Sequence, residues 1–142
     1  MRSLGMIGRT TAALCVLHGV ALADTLKFTA DLGPDQQATV KSAGKGSANL
    51  ALDTASKTLT GTIEYTGLAA PPVVAEFEGP PPKQGSAPVE VPIPLPASVA
   101  SPIKVSMKLT DPAIAGLKSG DWLLLLGSKQ GPEIGGDVKP AP

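Results

Sequence analysis

Residues 103–110 read Ile103-Lys104-Val105-Ser106-Met107-Lys108-Leu109-Thr110. Apolar and polar side chains alternate without a break. Because an extended chain points successive side chains to opposite faces, Ile103, Val105, Met107 and Leu109 share a dry face, and Lys104, Ser106, Lys108 and Thr110 a wet one. That is the pattern of an antiparallel strand buried on one side. Burying four such side chains contributes roughly 1.5–3 kcal/mol each before chain entropy is set against it.

Downstream, Asp111-Pro112 offers an N-cap and a first-turn proline, and Ala113 to Leu117 supplies about one turn of helix near 112–117. Gly120 ends it. Asp121 to Leu126 is a continuous apolar run, which predicts a strand buried on both faces with Trp122 as a core residue rather than a ligand platform. Gly131 to Val138 predicts a last short strand, and the tail 139–142 is expected to be disordered.

Upstream, Val89, Val91, Ile93 and Leu95 alternate with Glu90, Pro92, Pro94 and Pro96. Prolines two apart remove successive donors from one side of a strand, so this segment predicts a sheet edge that no further strand can join. The same spacing also suits a polyproline-II connector. Before a proline-rich loop stands Ala75-Glu76-Phe77-Glu78-Gly79-Pro80, a strand with Ala75, Phe77 and Gly79 on one face and two carboxylates on the other. Earlier still, Ala48, Leu50 and Leu52 on one arm and Leu59, Ile63 and Tyr65 on the other predict a hairpin with residues 53–57 at its tip. Threonines at 58, 60, 62 and 66 fit a pleated, half-exposed surface. The first strand is Thr25 to Leu32, broken by Gly33-Pro34-Asp35, and 36–46 reads as a loop. About eight strands joined mostly by turns predict an antiparallel β-sandwich or flattened barrel with Greek-key connections.

Residues 1–23 carry Arg2 and Arg9, an apolar run through Ala12-Ala13-Leu14-Cys15-Val16-Leu17, and Ala21-Leu22-Ala23 before Asp24. This is the layout of a secretory signal with an A-x-A cleavage site, too short for a membrane span of about 20 apolar residues. A periplasmic or secreted domain over 24–138 is expected, with no stable membrane insertion once the leader is cut. Leu14 before Cys15 is too bulky for a lipoprotein site.

Cleavage would remove the only cysteine, Cys15, the only histidine, His18, and both arginines. Residues 24–142 then hold ten lysines against twelve acids, a formal charge of −2, with only Phe28, Tyr65, Phe77 and Trp122 as aromatics. Neither a basic patch nor an aromatic platform for nucleic acid follows from that inventory. Ser128 and Tyr65 lack an imidazole to activate them, so no catalytic residue and no cofactor are expected.

Three stretches resemble the CHRD domain, the chordin-type module. L-A-L-D-T-A-S-K-T-L-T-G-T-I-E-Y-T-G over 50–67 looks like its opening hairpin. A-E-F-E-G-P, followed by Gly85 to Val89, resembles its A-H-I-H-G-P segment and loop. Leu117 to Val138 resembles its closing pair of strands, and the likeness runs from Leu26 to Val138. The resemblance implies an immunoglobulin-like β-sandwich, distantly similar to copper/zinc superoxide dismutase, without established enzymatic activity. It also implies that places where the family carries histidines hold Glu76, Glu78 and Gly127 here, that its arginine position holds Gly135, and that Glu133 alone survives of the polar set. Imidazole-based copper or zinc chemistry is therefore not expected.

Glu76 and Glu78 stand about 7 Å apart along a strand, where two charges in water repel by only about 0.6 kcal/mol. They need no cation and are expected to be solvated on the wet face. The alternative is a divalent-cation site using Glu76 and Glu78 with Glu133, short of the six to eight oxygens calcium takes. Two side chains on one face cannot flank a sugar bond, so glycosidase geometry does not fit. The expected role is binding or structural, with an unknown protein or small ligand as partner.

Overall fold

The computed structural model describes residues 24–142 apart from 36, 37 and 39. The leader expected over 1–23 lies outside the described residues. The chain runs β1 (Thr25–Pro34), β2 (Lys45–Asp53), β3 (Thr58–Thr66), β4 (Val74–Gly79), β5 (Val89–Pro92), β6 (Ile103–Lys108), α1 (Asp111–Ser119), β7 (Leu123–Ser128), β8 (Gly131–Asp137) and β9 (Lys139–Ala141). All ladders are antiparallel.

The strands form one curled sheet in the order β5-β4-β7-β8-β1-β2-β3-β6, with β9 also on β1. It divides into two layers: sheet A, containing β9, β1, β2, β3 and β6, and sheet B, containing β5, β4, β7 and β8. The links β3 to β4, β5 to β6 and β6 to β7 cross between the layers, so the all-β sandwich predicted from alternation is what the chain adopts.

The physical cause is the period of two. In β2 the buried residues are Ala48, Leu50 and Leu52, and in β6 Ile103 and Val105, each separated by an exposed or half-exposed neighbour. They join Phe28, Leu59, Ile63, Phe77, Leu124 and Leu126 in one core drawn from both sheets. In β7, residues 124–127 are consecutively buried, as expected of a strand covered on both sides. Trp122 is a core residue, its indole lying against Gly79 and Gly116, where a Cβ would fall 2.5 and 1.8 Å from the ring.

Four expectations need correction. The first strand does not break at Gly33. It continues to Pro34, and Gly33 and Pro34 pair with Gly135 and Ile134 of β8, so β1 leaves one sheet and joins the other. The tail expected to be disordered contains β9: Lys139, Pro140 and Ala141 pair with Thr29, Phe28 and Lys27, completing the side of β1 that β2 leaves open. Buried Val138, whose N–H donates to Trp122 O at 2.8 Å, anchors it. The helix spans nine residues rather than one turn near 112–117, because Ala113 and Leu117, one turn apart, both reach the core. Its N-cap is Thr110 rather than Asp111: Thr110 Oγ1 accepts from Ala113 N, while Asp111 is already helical and pairs with Lys57 at 2.8 Å.

Of the segment rich in alternating prolines, only Val89–Pro92 is an edge strand, paired on one side with β4 and on the other with nothing among the described residues; Pro94 and Pro96 lie beyond it.

Candidate functional site

The candidate carboxylates lie on the outward side of sheet B. In β4, Ala75, Phe77 and Gly79 are buried and Val74, Glu76 and Glu78 are turned the other way. The registers then fix their neighbours: Glu76 stands between Pro92 of β5 and Leu125 of β7, and Glu78 between Glu90 and Leu123. Glu78 and Glu90 are thus like charges directly opposite one another, an arrangement that weakens a strand pair.

Glu76 and Glu78 are half-buried, not fully wet as their alternation suggested. Desolvation raises the Glu76 carboxyl above its ordinary value, and repulsion from Glu90 and then Glu78 adds to it. Its cross-strand neighbour Leu125 is only 4 % exposed although it points away from the core between Leu124 and Leu126. The Leu125 side chain covers Gly135, where a Cβ would meet its Cδ2 at 2.5 Å.

Glu133 does not join this group. It is 1 % exposed, and its Oε2 accepts from Ala69 N at 3.2 Å, so the carboxylate ties the β3–β4 connection to β8. Among the described residues no three of the His, Cys, Asp and Glu side chains gather closely enough to hold a metal ion. The set Glu76, Glu78 and Glu133 is therefore split into a surface pair and a buried structural anchor.

Gly127 shows that more than a ligand is missing. A Cβ there would stand 2.1 Å from Gly131 O across the β7–β8 turn, where the ladder is irregular between Leu126 and Gly127. The turn backbone occupies the space of a side chain, just as Leu125 occupies it at Gly135. Ser128 is engaged locally, its Oγ accepting from Gln130 N at 3.2 Å.

Glu90 is the member of the cluster that sequence reasoning missed. The signal was present: V-E-V-P at 89–92 is a second alternating arm, and pairing it antiparallel to A-E-F-E-G sets one glutamate opposite another.

The model of the CHRD domain matches residues 28–138, from the middle of β1 to the residue before β9. The chain belongs to the CHRD family. The match spans the hairpin, the A-E-F-E-G-P strand and the closing pair of strands that resembled the domain in sequence, and the CHRD domain is not a known enzymatic family. No curated protein and no solved structure matches the chain significantly. Within this CHRD sandwich the carboxylates of β4 and β5 gather in adjacent registers on the outward face of sheet B, while the exposed apolar residues Val73, before β4, and Val89, opposite Gly79, are not part of that face. No helix among the described residues is long and apolar enough to cross a membrane.

Proposed function

We propose that this CHRD chain is an exported, non-catalytic binding module, and that its binding surface is the outward β4–β5 side of sheet B. The observation that carries the reading is the placement of Glu76, Glu78 and Glu90 on one face in adjacent registers, with the Glu76 carboxyl raised by desolvation first and then by Glu90 and Glu78. Clustered negative charge on an outward strand face suits a protein or small ligand with cationic groups. Export is supported by the leader pattern at 1–23 and by β1 opening at Thr25, just past the expected cleavage point after Ala23.

The same repulsion favours a second reading, a divalent cation held by Glu76 and Glu78 with Glu90 beside them, since a cation would relieve it. One set of titrations separates the two. Calorimetry of the chain with calcium, copper and a lysine-rich peptide, repeated on Glu76→Gln/Glu78→Gln, is expected to show the peptide binding and the double variant losing it. Stoichiometric calcium lost in the double variant would replace the main reading with the cation site. Peptide binding that survives the double variant would place the surface elsewhere.

A further inference from the structure

Among the described residues the strand path of the curled sheet ends on two unpaired margins, the outer edges of β5 and β6. At β5, Ile93 N donates to Ala75 O at 2.8 Å, and the alternation of an antiparallel ladder turns positions 90, 92 and 94 away from β4. Two of those are prolines, so Glu90 alone offers a donor there. At β6, Leu109 N donates to Lys57 O at 2.9 Å, in the register that pairs Met107 with Leu59 and Val105 with Gly61. The same alternation leaves the N–H and C=O groups of Lys104, Ser106 and Lys108 directed away from β3. All three residues are exposed, and β3 is the only strand paired with β6 among the described residues. One margin keeps a single donor and the other is complete.

We propose that the β6 edge takes an added strand from a second polypeptide, an extended acidic segment whose carboxylates stand four residues apart, opposite Lys104 and Lys108. Main-chain bonds to residues 104, 106 and 108 supply the docking, and charge supplies the selection. On the β3 side the neighbours of Lys104, Ser106 and Lys108 are Thr62, Thr60 and Thr58, none of them anionic. Lys108 Nζ donates to Ser56 O at 3.2 Å, and neither lysine pairs with a carboxylate among the described residues. A second copy is the wrong occupant, because two-fold pairing through all three outward residues sets Lys104 against Lys108 of the other chain. This edge belongs to sheet A and the β4–β5 carboxylates to sheet B, and the two surfaces share no residue, so they are tested by separate substitutions.

The probe is a labelled, end-blocked peptide, Thr-Glu-Val-Thr-Val-Glu-Thr, followed by fluorescence anisotropy with the purified chain. Saturable binding is expected, falling at least about tenfold both in Ser106→Pro, which removes an outward donor and leaves the β3 ladder whole, and in Lys104→Glu/Lys108→Glu. The charge-reversed variant should prefer the same peptide with lysines in place of its glutamates. Absence of saturable binding, or binding indifferent to both variants, overturns the proposal. Should Ser106→Pro lose its β signal in circular dichroism, N-methylation of the peptide's central threonine puts the question from the other side: binding that survives it overturns the edge geometry. Self-association of the chain that Ser106→Pro abolishes would overturn the choice of partner.

Discussion

Sheet A turns threonines and lysines outward and ends on β6, whose hydrogen-bonding edge is intact. Sheet B turns glutamates and glycines outward and ends on β5, whose outer side keeps a donor at Glu90 and lacks one at Pro92 and, just past the strand, at Pro94. Inside, the two layers obey one rule, alternate apolar side chains meeting in a shared core. Outside, they differ in both charge and edge chemistry. The difference teaches that burial fixes the fold of this chain, while the outward residues and the margins are where its interactions are specified.

The largest effect expected from breaking that comparison is at the strands' inward faces. Val105 on β6 is buried, whereas Val91 on β5 is only partly so. A buried, unpaired carboxylate costs more than about 4 kcal/mol, a large share of the roughly 5–15 kcal/mol that holds a domain folded. Val105→Asp should therefore abolish cooperative unfolding in a thermal melt followed by circular dichroism. Val91→Asp should leave a transition destabilised by roughly 1–2 kcal/mol. Equal losses at both sites would mean that β5 is as much a part of the core as β6.

The glycines of sheet B give the next effect. Gly127→His would restore the residue type that the CHRD pattern implies there, but its Cβ would press on Gly131 O, which is backbone and cannot swing aside. Overpacking of this kind costs typically 1–3 kcal/mol. Urea denaturation should show that loss with no gain in copper affinity. A variant as stable as the parent would show that the β7–β8 turn gives way easily.

How far the sequence revealed these features follows the same division. Inward-facing elements were legible because alternation of the I-K-V-S-M-K-L-T kind reports burial directly: the β2–β3 hairpin and the A-E-F-E-G strand stand where the periodicity put them, and the doubly covered β7, expected over 121–126 from its apolar run, lies two residues later at Leu123–Ser128. The acidic pair on β4 was legible for the same reason. What pattern does not carry is partnership between distant segments. Pro34 reads as a breaker until Ile134 is seen to receive it, and Lys139-Pro140-Ala141 reads as a tail until the vacant side of β1 is known. The family resemblance groups Glu133 with Glu76 and Glu78, and only the fold shows its carboxylate accepting from Ala69 N.

The edges give a smaller effect on stability but a distinct one on association. Pro92→Thr/Pro94→Thr would return two donors to the outer side of β5, whose positions 92 and 94 face away from β4. The fold should change by less than about 1 kcal/mol, since no existing ladder bond is touched. Light scattering should nevertheless show concentration-dependent association absent from the parent, because an unblocked edge templates pairing. If the double variant stays monodisperse, the prolines serve the conformation of residues 92–96 and not the protection of the edge.

The smallest effect is electrostatic. Glu76 has its carboxyl raised above its ordinary value by desolvation and then by Glu90 and Glu78. A raised carboxyl binds its proton more readily in the folded state than in the unfolded one, so the folded state loses stability as pH rises through the folded-state pKa and regains it in acid. Glu76→Gln should thus stabilise the chain at neutral pH, by less than about 1 kcal/mol because the group is only half-buried and solvent screens it. The gain should shrink towards zero as the pH falls below the range in which Glu76 titrates. Lysine at position 90 tests the cause: Glu90→Lys should remove part of the Glu76→Gln gain, because the second-largest contribution to the raised carboxyl would then change sign. A gain independent of pH would assign the effect to side-chain packing against Leu125 and Pro92, and sheet B's outward charge would then have no bearing on its stability.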